Sequence, residues 1–223
     1  DELNRRALRR MAVLRPLKVI LENVPEGETH ECELPNNPED PDAGKRIAVW
    51  SRELWIEQDD FMETPAPGFH RLSPGKSVRL RGAGFLTCTG LERDASGAPV
   101  AVRGTWSPPE TKLKVKATIH WVSARHARPA EVRIYDRLFK VADLSEIPEE
   151  ADFKDYLNPD SLSVAQAWVE PALAEAEPGA RIQFERIGYF CADAKDHRPG
   201  APVFNRTLTL KDAWARPTSA PAS

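Results

Sequence analysis

The chain has 223 residues, 41% of them hydrophobic and 29% charged, with a net charge of −3. That length can hold one large or two small cores. No apolar run approaches the ~20 residues that span a bilayer, no charged-then-apolar leader opens the chain, and Cys32, Cys88 and Cys191 fit neither a zinc spacing nor a disulfide framework. A reduced, cytoplasmic setting without membrane attachment is therefore expected. The opening Asp1 points to a chain cut from a longer one.

Leu3, Ala7, Leu8 and Met11 fall at helical spacing among arginines. They predict a short amphipathic helix over residues 1–13, the end of a preceding helical domain, stopped by Pro16. Leu17 to Glu22 predicts a strand, Asn23 to Gly27 a turn, and His30 to Leu34 a second strand. Pro35 to Asp42 is too rich in proline and acid for sheet or helix and reads as a loop. Lys45 to Glu57 is strand-like, and Asp59 to Met62 predicts a helical turn capped by an aspartate.

Phe69 to Gly82 is basic and has no acid. Its Ser73-Pro-Gly-Lys76 is a turn, because proline presets φ and glycine permits φ > 0. Ser77 to Arg81 then alternates, with Val78 and Leu80 on one face and Arg79 and Arg81 on the other. Two guanidiniums at that spacing stand roughly 6.5–7 Å apart along a strand, near the spacing of adjacent nucleotides. Arginine forks suit guanine edges and phosphates. Taken alone, however, the stretch reads more simply as a solvated strand face.

Phe85 to Gly90 and Val100 to Trp106 flank an Asp/Ser/Gly turn and predict a hairpin. Lys112 to Val122 alternates with lysines on one face, and Ala130 to Phe139 alternates too. Pro148 to Asp160 is an acidic, loop-rich excursion. Leu162 to Val169, Arg181 to Cys191 and Val203 to Leu210 supply three more strands. Short strands at this spacing, with 20 prolines, predict an all-β barrel or sandwich. The length suits two barrels, and no internal repeat stands out. Residues 217–223 read as a Pro/Ala/Ser linker or tail.

Charge is unevenly spread. Arg5 to Lys18 holds six basic residues and no acid, whereas Glu22 to Asp42 holds eight acids and no Lys or Arg. A local positive surface, not the total, decides nucleic-acid binding. The motifs of small-molecule chemistry are missing: there is no glycine-rich phosphate loop, dinucleotide fingerprint or metal-ligand spacing. The five histidines are scattered, and His120 beside Trp121 reads as a core residue. Asp59 and Asp60 are adjacent and would point apart in a strand, a poor acid/base pair. No catalytic or metal-binding residue is assigned.

Several long, irregular blocks resemble the C-terminal part of glutaminyl-tRNA synthetases. They are Met11-Ala-Val-Leu-Arg-Pro-Leu-Lys-Val-Ile-Leu-Glu-Asn23, Asp59-Asp-Phe61, Arg71-Leu-x-x-Gly-Lys-x-Val-Arg-Leu-Arg81, Lys114-Val-Lys-x-x-Ile-His-Trp-Val-Ser123, Tyr135-Asp-Arg-Leu-Phe139, Phe184-Glu-Arg-x-Gly-Tyr-Phe190 and Val203-Phe-Asn-Arg-Thr207. The likeness runs from about Arg9 to Trp214. It implies an all-β fold: two six-stranded antiparallel barrels, similar to the 5S-rRNA-binding ribosomal barrel, over residues 14–216, with the boundary between them open.

The implied role is anticodon recognition. The parent would be a class I ligase that joins glutamine to its tRNA with ATP and Mg²⁺. This chain lacks the nucleotide-site signatures His-Ile-Gly-His and Lys-Met-Ser-Lys, so it should be inactive alone and hold no cofactor. Its partner would be the anticodon loop of a glutamine tRNA, with no DNA or membrane partner, and it should be a monomer. By position in the family pattern, Arg71 reads the third anticodon base, a guanine. Arg79 and Arg81, after the turn that carries Lys76, grip the wobble nucleotide. Arg9, Gln183 and Arg186 enclose the middle uracil, with Pro38 near that pocket. Lys112, Lys114 and Lys116 are candidates for phosphate contact. His70 and Ala213 depart from the family pattern. The competing readings are the anticodon-binding part of a glutamyl-tRNA synthetase, a structural-RNA-binding barrel protein, and a β-sandwich module for protein or carbohydrate.

Overall fold

The computed structural model describes residues 2–210; Ala213, Trp214 and the stretch 217–223 lie outside it. Two seven-stranded sheets and a separate hairpin, Thr29–Pro35 with Lys45–Ser51, make up the fold. In hydrogen-bonded order, one sheet runs Thr118–Ile119, Ser77–Leu80, Gly84–Arg93, Pro99–Ser107, Pro16–Leu21, Glu53–Glu57, Val122–Ser123. The other runs Leu8–Arg10, Arg181–Phe184, Gly188–Ala192, Val203–Thr209, Arg128–Tyr135, Leu162–Val169, Ala12–Val13.

The two outermost strands of each sheet are neighbours in the chain. Only His120 and Trp121 separate them in the first sheet, and only Met11 in the second. Among the described residues each sheet's two end strands are therefore joined by one short segment, so six extended segments surround each core in a partly closed barrel. The six-stranded expectation is met in that sense. The barrels are not purely antiparallel. In the first, Ser77–Leu80 pairs in parallel with Thr118–Ile119, and Pro16–Leu21 with Pro99–Ser107. In the second, Arg181–Phe184 pairs in parallel with Leu8–Arg10, and Arg128–Tyr135 with Val203–Thr209.

The same order of parallel and antiparallel pairings occurs in both barrels, which reveals a duplication. Each half of the chain is a closing segment followed by five barrel strands, but the closing segments are exchanged. Residues 8–13 precede the first barrel's strands and close the second; residues 118–123 precede the second barrel's strands and close the first. The hairpin turns match as well, Leu80 facing Gly84 and Phe184 facing Gly188. A Cβ on Gly84 would lie 2.3 Å from the Ser107 carbonyl oxygen, and one on Gly188 would lie 2.4 Å from that of Leu208, so backbone approaches backbone at both sites.

Several predicted elements are corrected. The N-terminal helix covers only Glu2–Arg6. Leu8–Arg10 is instead fixed by pairing with Arg181–Phe184, and Met11 is wholly buried. The Lys45 to Glu57 strand is two strands that break at Arg52 and go to different sheets. The Lys112 to Val122 strand shrinks to Thr118–Ile119 and Val122–Ser123, because Pro109–Thr111 forms a 3₁₀ turn and Lys112 takes a left-handed φ of 53°. The turn at Gln58–Asp60 exists, but no side chain caps it.

The first core gathers Leu54, Ile56, Leu80, Leu86 and Trp121. The second is built on Phe184, with Phe190 stacked at 4.0 Å and Phe204 edge-on at 5.2 Å. Between the barrels, Trp55 and Trp168 stack at 6.0 Å with planes 6° apart. The hairpin packs over the first barrel's turn. A Cβ on Gly82 would meet Leu34 Cδ2 at 2.5 Å and the Cys32 Sγ at 3.3 Å. Burial pushes the Cys32 thiol up to about 11. At pH 8 iodoacetamide should therefore modify Cys32 roughly a hundredfold more slowly than an ordinary free cysteine. Mass-spectrometric labelling at the ordinary rate would show that the hairpin opens in solution.

Candidate nucleic-acid interface

The junction between the barrels collects most of the arginines singled out in the sequence, and acids meet them there. Asp60 ends the short turn Gln58–Asp60 and is 1% exposed. Its Oδ2 accepts from Arg186 Nη1 at 2.7 Å and its Oδ1 from Arg186 Nη2 at 2.6 Å. Arg71 Nε stands 3.5 Å from the same Oδ1, and Arg71 Nη1 donates to the Asp59 carbonyl at 3.3 Å. The backbone fixes this arrangement: Leu72 N donates to Asp60 O at 2.9 Å, and Met62 N to Leu72 O at 3.0 Å.

Arg186 also donates to His120 Nδ1 at 3.1 Å. A guanidinium only donates, so that nitrogen is the acceptor and the ring proton sits on Nε2. Nε2 faces Glu57 Oε1 at 3.6 Å. Glu57 itself accepts from the Leu14 and Arg15 amides at 2.7 and 3.0 Å. The sequence reading of His120 as a buried residue holds, at 1% exposure. Its use as a support for Arg186 was not legible.

A second cluster lies alongside. Arg81 Nε is 2.9 Å from Glu185 Oε2, and Arg46 Nη2 is 3.4 Å from Glu185 Oε1. Arg46 is clamped by Glu170, from Nε to Oε2 at 2.8 Å and from Nη2 to Oε1 at 2.8 Å. Burial, the largest single effect, works against the charge on Arg46, but its hydrogen bonds to Glu170 together with the Glu170 and Glu185 charges outweigh it and the pKa is raised. Arg10 goes the other way, lowered by burial and then by the nearby Arg46 charge.

Arg9 and Gln183 are opposite each other in the parallel ladder. Gln183 is 5% exposed. Arg9 Nη2 donates to Asn4 Oδ1 at 2.9 Å, and the Tyr189 hydroxyl donates to that same oxygen at 3.0 Å. Pro38 is exposed in the neighbouring loop. Asn37, buried at 2%, ties this loop to the chain start by donating to Arg5 O at 2.8 Å and Asn4 O at 3.2 Å. Arg79 is exposed, its guanidinium 4.6 Å from the Phe85 ring centroid. Lys76 is exposed in the turn, with its amide donating to Ser73 O at 2.9 Å. The irregular run 112–117 bears the three lysines past Arg79, whose amide donates to Ala117 O at 2.9 Å.

The structure thus gathers Arg71 and Arg186 on Asp60 and Arg81 on the adjoining Glu185, pairs Arg9 with Gln183 in the second barrel's ladder, and leaves Arg79, Lys76 and Pro38 exposed. Asp60, Glu185, Glu170, Arg46 and Asn37 escaped the sequence reading as site residues. From the sequence Asp60 reads as half of a poor acid/base pair with Asp59, although it lies in a family block. Among the described residues no cluster of His, Cys, Asp and Glu could hold a metal ion, and no helix is long and apolar enough to cross a membrane.

Comparison with known proteins gives two family-model matches, over residues 7–106 and 118–193, each described as the anticodon-binding domain of class I tRNA synthetases (E and Q). A "Glutamine--tRNA ligase" of Cupriavidus necator is 51% identical over 97% of this chain and 38% of that protein. One from Nitrobacter hamburgensis is 51% identical over 99% of this chain and 40% of its own length, and one from Xanthomonas campestris is 47% identical over 97% and 38%. The chain thus spans about two fifths of the curated relatives it matches.

Proposed function

Since this chain belongs to the anticodon-binding family of class I glutamyl- and glutaminyl-tRNA synthetases, we propose that its two barrels hold the anticodon loop of a glutamine tRNA. The observation that supports the reading is the seam, where Arg71 of one barrel and Arg186 of the other meet on Asp60 and Arg81 meets Glu185. Unstacked loop bases are read on their Watson–Crick edges by such planar donors and acceptors. In this reading Arg71 takes the third base, Arg79 and Arg81 the wobble nucleotide, and Arg9, Gln183 and Arg186 the middle uracil beside Pro38. Gln supplies the donor and acceptor that a uracil edge requires. Lys76 and the lysines of 112–116 hold phosphate.

The acids do not oppose this role. A guanidinium clamped by a buried carboxylate keeps its charge and has already lost its rotamer freedom, so less is lost on binding. The parent enzyme would be a cytoplasmic, monomeric glutamine–tRNA ligase. ATP and Mg²⁺ would serve its catalytic half, and no residue of this chain is assigned to them.

Binding of an anticodon stem-loop should weaken about 50-fold between 50 and 200 mM salt, the fall that four neutralised single-strand phosphates give. Titration by fluorescence anisotropy checks this. Salt-independent binding would favour a protein or carbohydrate module. Preference for 5S rRNA over the stem-loop would favour a structural-RNA protein.

A further inference from the structure

Arg71 and Arg186 come from opposite halves of the duplicated chain, yet both end on the carboxylate of Asp60. Resting on the anticodon reading, we infer that Asp60 is a positioning residue shared by the readers of the middle and third bases, and that it couples their selection.

Three features carry this. First, Asp60 and Arg71 form one unit: Phe61 bridges Leu72, and Leu72 N donates to Asp60 O at 2.9 Å. A base that shifts the Arg71 fork therefore acts on the same Oδ1 that holds Arg186 Nη2 at 2.6 Å. Second, Arg186 has φ of 68°, and its counterpart in the other half is Gly82 with φ of 74°. A left-handed backbone is natural for glycine and strained for arginine, a kind of strain that collects at functional sites. Here the strain places one side chain against Asp60. Third, His120 Nδ1 braces Arg186 Nη1 at 3.1 Å, so the fork is held from both sides.

Asp60 touches no base in this scheme; it sets where two forks point. Removing its charge should loosen both forks together, while removing either arginine affects one base first.

The test uses four anticodon stem-loops: unchanged, changed at the middle base, changed at the third base, and changed at both. With the unaltered 223-residue chain, the doubly changed loop should bind about fivefold or more tighter than the product of the two single penalties allows, the signature of coupled contacts. Asp60→Asn keeps the shape of the side chain. In that variant discrimination at both bases should fall together, by about tenfold each, and the remaining penalties should multiply independently. The stem-loop cycle on the unaltered chain stands even if the variant unfolds. Independent penalties in the unaltered chain, or a D60N variant that loses selection at one base alone, would overturn the inference while leaving anticodon binding intact. No discrimination by the unaltered chain at any base would remove the anticodon reading and this inference with it.

Discussion

Glu170→Ala should lower the free energy of unfolding by about 3–5 kcal/mol, the usual cost of stripping one partner from a buried ion pair. Glu170 is 7% exposed. Its carboxylate takes the Met11 amide at 2.6 Å and the Arg46 fork at 2.8 Å on each oxygen. Met11 lies in the segment that closes the second barrel, Arg46 in the hairpin Lys45–Ser51, and Glu170 just past the strand Leu162–Val169. One side chain thus joins three elements that share no strand pairing with one another beyond the Ala12–Val13 ladder. Truncation leaves the Arg46 charge enclosed with Glu185 at 3.4 Å and strips the Met11 amide of this acceptor. Urea denaturation measures the loss. Replacing both partners, Glu170→Ala with Arg46→Met, should recover most of it, because an apolar pair carries no uncompensated charge. A single-variant loss under about 1 kcal/mol would mean the cluster behaves as a solvated surface pair.

Arg71→Ala should cost roughly 1–3 kcal/mol of discrimination at the third anticodon base and little at the wobble base. Arg71 is held before binding by the Asp59 carbonyl at 3.3 Å and by Asp60 at 3.5 Å from its Nε. Its fork is therefore placed in advance, and a guanine offers the two acceptors that match it. Arg71→Lys should not restore selection, because an ammonium is a point charge without the planar fork. Arg79→Ala is the contrast. Arg79 is exposed over the Phe85 ring and outside both acid clusters, so its loss should fall mainly on binding strength and the salt slope. Equal weakening against all four third bases in Arg71→Ala would remove the residue from base reading.

Much of the fold is legible because its strands announce themselves locally. Val78 and Leu80 alternate with arginines, and Asp94 accepts from the Ser96 and Ala98 amides to fold the turn expected between Gly84–Arg93 and Pro99–Ser107. The closing segments are illegible for the opposite reason. Leu8–Arg10 and Thr118–Ile119 are only three and two residues long and pair in parallel with partners far along the chain. Periodicity needs a longer window, and tertiary pairing decides such short runs. The duplication hides likewise. The two halves share a pairing order, but where one has Gly82 the other has Arg186, and where one has Arg81 the other has Glu185.

The site divides in the same way. Residue type alone leaves Arg79 and Arg81 as a solvated strand face, whereas the family pattern nominates the arginines. Their acidic partners are set by packing between the barrels, which no local pattern encodes. Asp60, adjacent to Asp59 in the chain, therefore carries no local sign that Arg186 reaches it.

In the proposed reading the seam selects an anticodon base by base. It is tested most directly by competition among anticodon stem-loops that differ from a glutamine anticodon at one position each. The unaltered loop should win by about tenfold or more over any change at the middle or third base, as loss of one well-placed base contact gives. Equal affinity for all of these loops would contradict it.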